Sequence, residues 1–145
     1  MMRSRPLAPP LFLLLAAAFS LPLHAGEVVV QVTGPRAVAG NIGCALFGAQ
    51  AGFPMDNSGA RQIWLPAEAT TVCRFANVSP GRHAVSVSHD LNGNGRVDTN
   101  FLGIPLEGWA VSNNVVPSLR APRFEEAAFR VDDETPLVLN LKLVN

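Results

Sequence analysis

Residues 70–90, TTVCRFANVSPGRHAVSVSHD, read as two β-strands and the corner between them. Thr71, Cys73 and Phe75 point one way along the first strand, and Val85, Val87 and His89 share one phase of the second. Ser79-Pro80-Gly81 supplies the turn, because Pro presets one backbone torsion and Gly tolerates the conformations that other residues avoid. Working outward, Glu27 to Thr33 alternates around Val28, Val30 and Val32 and stops at Gly34-Pro35. Asn41 to Phe47 places Ile42, Cys44 and Leu46 on one face, and Arg61 to Leu65 makes another short strand. Gln50 to Ala60, with its Gly, Pro and Asp-Asn residues, is a loop. Pro136 to Val144 closes the chain as a strand with Leu137, Leu139, Leu141 and Leu143 aligned. A helical period is missing apart from one turn near Phe124 to Ala128, where Glu125 and Glu126 suit a helix N-terminus. Short strands between Gly/Pro turns predict an all-β fold, a single antiparallel β-sandwich with long loops after the central strand.

The N-terminus has a different character. Arg3 and Arg5 precede an apolar run from Leu11 to Leu21, and Leu23-His24-Ala25 fits a cleavage site, so residues 1–25 read as a signal peptide. Residues 26–145 then form one domain of ordinary size, expected in the periplasm or secreted, with no stable membrane insertion after cleavage. Losing Arg3 and Arg5 leaves nine basic against eleven acidic side chains, a net charge of −2 that offers nucleic acid no footprint. Cys44 and Cys73 are the only cysteines, both on the apolar phase of their strands. An oxidising compartment predicts that they pair.

Beyond Asp90 the chain changes from alternation to a run of Asn and Gly. Asp90, Asn92, Asn94 and Asp98 put oxygen-bearing side chains at positions 1, 3, 5 and 9 of a loop. Gly95 stands at position 6 and Arg96 at position 7, where a backbone carbonyl completes the spacing of a calcium loop. Position 12, a bidentate Glu in an EF-hand, is Phe101. A further ligand must come from elsewhere, and Glu107 is the candidate, its competing role being an acceptor for backbone N–H groups of the Gly103–Gly108 turn. The same residues also read as an ion-independent Asn/Gly turn capped by Asp. His89 is expected to be packed and hydrogen-bonded through one ring nitrogen, and Trp109 fits either a ligand platform or the core.

No nucleophile elbow, phosphate loop, zinc-protease helix or dinucleotide fingerprint occurs. The leading expectation is a non-enzymatic exported sandwich whose loop, ordered by Ca2+, presents a surface to a protein, peptide or glycan. A hydrolase-like enzyme using His89, Asp90 and Glu107 is the first alternative, and an envelope module without an ion is the second.

The stretch HDLNGNGRVDTNFLGIPLEGWAVSNN at 89–114, with APRFEEAAF at 121–129, resembles a bacterial secreted domain-of-unknown-function family, number 2141. Its blocks are His89-Asp90 with the Asn/Gly loop, Gly103-Ile104-Pro105 with Glu107-Gly108, and Ser112-Asn113-Asn114. The resemblance implies a small secreted β-domain with no assigned activity. Where relatives favour Tyr-Gly-Phe and a Tyr after Pro-Gly-Arg, this chain has Trp109-Ala110-Val111 and His83. A shorter pattern, Phe75 to Val85, is similar to a corner in transthyretin-like and carboxypeptidase regulatory-type sandwiches, with His83 in the amphipathic ring position.

Overall fold

The computed structural model describes residues 25–132 and 135–145, so all of the expected signal peptide but Ala25 lies outside the described residues. Among the described residues, eight strands form two packed sheets: β1 (Gly26–Thr33), β2 (Asn41–Phe47), β3 (Arg61–Pro66), β4 (Thr70–Val78), β5 (Gly81–Asp90), β6 (Trp109–Val111), β7 (Phe129–Val131) and β8 (Leu137–Lys142). One sheet has the order β4-β1-β8, and the other β3-β2-β5-β6, with β7 pairing the first residues of β5. Every pairing is antiparallel except β1 with β8, which run parallel from Val28↔Leu137 to Thr33↔Lys142. A parallel pair needs a long crossover, and here the whole second sheet lies in sequence between the two partners. The all-β sandwich expected from the sequence is thus the fold, with one parallel pair at the edge.

The alternating valines of β1 explain the first core. Val28, Val30 and Val32 meet Ile42, Cys44 and Leu46 from β2, Val85 and Val87 from β5, and Phe75 from β4. Cys44 and Cys73 are bonded across this layer with Cα atoms 6.6 Å apart, joining β2 in one sheet to β4 in the other. Leu141 and Leu143 are buried in the same cluster, while Leu137 and Leu139 pack at its margin.

A second core lies on the opposite face of β2 and β5, where alternation alone predicts solvent. Ala45, Phe47 and Ala84 are covered there by Val111, Phe124 and Ala127. Phe53 stands edge-on to both Phe47 and Phe124, with ring centroids 5.2 and 5.9 Å away. The cover is the segment after β6, including the helical turn α1 (Phe124–Ala127). Glu126 accepts the Arg123 N–H at 2.9 Å to start that turn. Glu126 also takes two bonds from the Arg120 guanidinium, at 2.6 and 2.9 Å. Arg120 and then the Arg123 N–H hold its carboxyl at about 2, below the ordinary 4.5. Burial on both faces makes β5 the central strand, and the Asp90 loop grows from its end.

Candidate functional site

Asp90 is the last residue of β5 and is 1% exposed. Its Oδ1 accepts the N–H groups of Gly93 and Asn94 at 2.7 and 3.2 Å, and its Oδ2 accepts that of Gly95 at 2.7 Å. Three donors can converge on one carboxylate because Gly93 and Gly95 both adopt φ of 76°, folding the chain back over the side chain. Asn92 and Asn94 each accept the N–H two residues ahead, at 3.1 and 3.0 Å, forming successive Asx turns. Their amide N–H groups both donate to the carboxylate of Asp98, that of Asn94 at 2.7 Å. Arg96 stands at the rim with its Nε 4.0 Å from Asp98.

Glu107 closes the loop from the far side. Its Oε1 accepts the Leu91 N–H at 2.9 Å and its Oε2 the Asp98 N–H at 3.1 Å, so one buried carboxylate joins the loop's two ends. The expected alternative of an N–H acceptor describes this chemistry. The donors, however, are Leu91 and Asp98 rather than residues of the Gly103–Gly108 turn. Position 12 is answered differently from an EF-hand, since Phe101 is 94% exposed at the tip of a separate hairpin. Leu106 N–H to Asp98 O at 2.8 Å and Asn100 N–H to Ile104 O at 2.9 Å pair the two arms of that hairpin. Among the described residues, no three His, Cys, Asp or Glu side chains converge as a metal-holding group.

His89 has no exposed surface; its Nε2–H donates to Ala39 O at 2.8 Å and its Nδ1 has no partner. That bond ties the β1–β2 connection to the base of the loop. The backbone there is in close approach, because a Cβ added at Gly40 would sit 2.3 Å from Asp90 O. His89 therefore packs as the sequence predicts. Among the described residues no carboxylate bonds its Nδ1, and Asp90 and Glu107 both accept backbone amides. Trp109 is half-buried, between the second core and a groove of about 430 Å³ that it shares with Asn114, Val115, Val116 and Lys142.

The Ser112-Asn113-Asn114 block has a role that sequence reasoning missed. The Ser112 hydroxyl accepts the Val85 N–H at 2.9 Å and donates to Ala127 O at 2.5 Å. Asn113, at φ of 64°, donates to Glu126 O and Ala128 O at 3.0 and 3.2 Å. Asn114, at φ of 50°, donates to Asn140 O at 2.9 Å and accepts the Lys142 N–H at 3.0 Å. It thus takes the place of a strand neighbour along β8, the edge of its sheet. Two consecutive asparagines are the available signal, since Asn is enriched among non-Gly residues with positive φ.

The blocks that carry the family resemblance therefore have identifiable structural duties: the loop, its Glu107 closure and the Ser-Asn-Asn clip. No curated protein and no solved structure matches the chain. A family model described as "Uncharacterized protein conserved in bacteria (DUF2141)" matches residues 30–137, from within β1 to the start of β8, and the chain belongs to that family.

Proposed function

We propose that the protein is an exported, non-enzymatic binding module whose Asp90–Glu107 loop takes up calcium and presents a rigid surface. The observation that carries this reading is an excess of negative charge. Asp90 and Glu107 are buried and Asp98 is partly so, yet among the described residues the only ion pair any of them makes is the 4.0 Å contact of Asp98 with Arg96. Buried charge is costly without a counter-charge, and a hard divalent cation supplies two. The oxygens retain capacity for it. A carboxylate has about four lone-pair sites, and three N–H bonds at Asp90 and two at Glu107 leave each with room. The Arg96 carbonyl and the Asn92 and Asn94 oxygens supply the neutral ligands. Export is supported by the order of basic, apolar and small residues in 1–25 and by the Cys44–Cys73 bond.

Two measurements test the proposal. At a hundredfold excess over its dissociation constant, calcium adds about 2.7 kcal/mol of stability. For a domain of this size the melting temperature then rises on the order of 7–15 °C. Identical melting in calcium and in chelator, with no heat of binding at millimolar calcium, would falsify the ion. N-terminal sequencing of exported material should start near Gly26, and a chain still beginning at Met1 refutes the processing. A second reading has its own observation: the five N–H bonds to Asp90 and Glu107 already form a closed scaffold, so the loop serves as a display surface with no ion.

A further inference from the structure

We propose that Asn92 and Asn94 form a modification site that the fold keeps shut: paired Asn-Gly steps that lose ammonia only while the Asp90 loop is open. The site stands apart from the proposed ion and from any partner. Asn92-Gly93 and Asn94-Gly95 are the only Asn-Gly steps in the chain, and all four residues are exposed. Asparagine is among the thermolabile residues. Its loss of ammonia is intramolecular. The backbone nitrogen of the next residue gives up its proton and bonds to the side-chain Cγ, and Nδ2 leaves as ammonia. The cyclic imide then takes up one water at either carbonyl, giving aspartate or its β-linked isomer. A glycine successor favours the attack, because no side chain shields the nitrogen and the backbone turns freely. By sequence, these two positions are the most reactive amides in the protein.

The closed loop withholds the atoms that the reaction needs. Both attacking nitrogens are engaged: the Gly93 N–H donates to Asp90 Oδ1 and the Gly95 N–H to Oδ2, each at 2.7 Å. A carboxylate against an N–H also opposes its deprotonation, since a second negative charge would form beside the first. Both leaving groups are engaged as well, for the Nδ2 groups of Asn92 and Asn94 donate to the Asp98 carboxylate. Their Oδ1 atoms accept the N–H groups of Asn94 and Arg96, at 3.1 and 3.0 Å. Held at both ends, neither amide can rotate toward its own successor. Glu107 ties Leu91 to Asp98 and closes the segment from outside. Opening must therefore precede the chemistry. Conversion also bars the way back. It sets a new carboxylate where an amide donated to Asp98, so like charges meet and the original closure cannot re-form. The loop thus keeps a permanent record of having opened.

The test follows ammonia loss in the purified exported protein by intact mass and peptide mapping, in mildly alkaline buffer with chelator. The folded parent should convert Asn92 and Asn94 at least about tenfold more slowly than the same chain in urea, because the rate follows the open population. Asp90→Ala releases both glycine N–H groups and should bring the rate in buffer close to that in urea. Should Asp90→Ala fail to fold, Asp90→Asn decides: it keeps an acceptor for Gly93 but not for Gly95, and should speed Asn94 more than Asn92. Asn77 and Asn140, followed by the branched Val78 and Leu141, serve as the internal standard. Joint replacement Asn92→Asp and Asn94→Asp imitates the product and should melt below the parent in chelator. A folded parent that loses ammonia as fast as in urea overturns the proposal, as does an Asp90 variant no faster than the parent. So does conversion at Asn77 or Asn140 that keeps pace with Asn92, or a double-Asp variant that melts with the parent.

Discussion

Replacing Asp90 with Ala in chelator measures how far the loop depends on its own carboxylate. The substitution removes the acceptor of three N–H groups, those of Gly93, Asn94 and Gly95. Bonds to charged groups contribute roughly 1.5–3 kcal/mol each where water cannot replace them. The three donors belong to exposed residues, so water substitutes in part and about 1 kcal/mol per bond is the fairer figure. The loss is then about 3 kcal/mol. A domain of about 120 residues changes its melting temperature by about 4 °C per kcal/mol, giving a fall of about 12 °C. Asp90→Asn keeps Oδ1 for Gly93 and Asn94 but turns an NH2 group toward the Gly95 N–H, so it should lose about one bond and about 4 °C. Thermal unfolding followed by circular dichroism gives the ranking. Hydrogen exchange should show the three amides deprotected in Asp90→Ala while the amides of β1 and β2 stay slow. An Asp90→Ala protein melting within about 2 °C of the parent, or Asn costing more than Ala, refutes the assignment of these bonds as the loop's support.

Two further outcomes follow from other parts of the molecule. Replacing Cys44 and Cys73 together with Ala reopens a closure with a sequence separation of 29 between the sheets, which the loop-entropy model values at about 3.5 kcal/mol; intact mass after alkylation must first show no free thiol in the parent, and an unchanged denaturation midpoint in the variant counts against the bond as a staple. Glu126 has its carboxyl lowered from 4.5 to about 2 by Arg120 and the Arg123 N–H, so its stabilising contribution is complete above pH 4.5 and is lost as pH falls toward 2; the melting difference between the parent and Glu126→Gln should shrink across that window, and a constant difference contradicts the pairing.

Legibility of the fold follows from how many faces each strand buries. Val28, Val30 and Val32 share one phase, but Val29 on the other face is also apolar and buried, so the period of two in β1 reads only loosely. In β2, Ile42, Cys44 and Leu46 fill the first core while Ala45 and Phe47 fill the second. A strand buried on both sides looks like a plain apolar run, so its second cover, the Val111–Ala127 segment, left no periodic trace. Strands β6 and β7 have three residues each, too short to show a period against their surroundings. The Asp90 loop was legible as spacing, because oxygens at alternate positions are a local property of the chain. Which groups those oxygens would face was not. Backbone amides of the same loop compete for them, and Glu107 reaches across to Leu91, sixteen residues away. The Asn114 clip on β8 spans 26 residues and depends on where the sheet edge lies, which no local pattern records.

The placement of these carboxylates bears on what a protruding loop is able to do. Surface loops with few apolar contacts belong to the least stable parts of a protein and are costly to order on binding. Here the cost is met within the fold. Asp90 is seated at the end of the central strand, Glu107 joins Leu91 to Asp98, and His89 fastens the neighbouring connection beneath them. The Asn100 side chain then holds the Leu102 and Ile104 N–H groups, fixing the turn that displays Phe101 and Leu102. Polar groups thus do at the loop what apolar packing does in the core, and this frees the apolar side chains to face outward. On the proposed reading, a surface arranged this way would meet a partner already ordered, and the area buried would convert to affinity with little lost to immobilisation. The two halves of the loop can be separated experimentally: changes at Asp90 or Glu107 should lower stability, whereas changes at the exposed Phe101 or Leu102 should leave it unaltered.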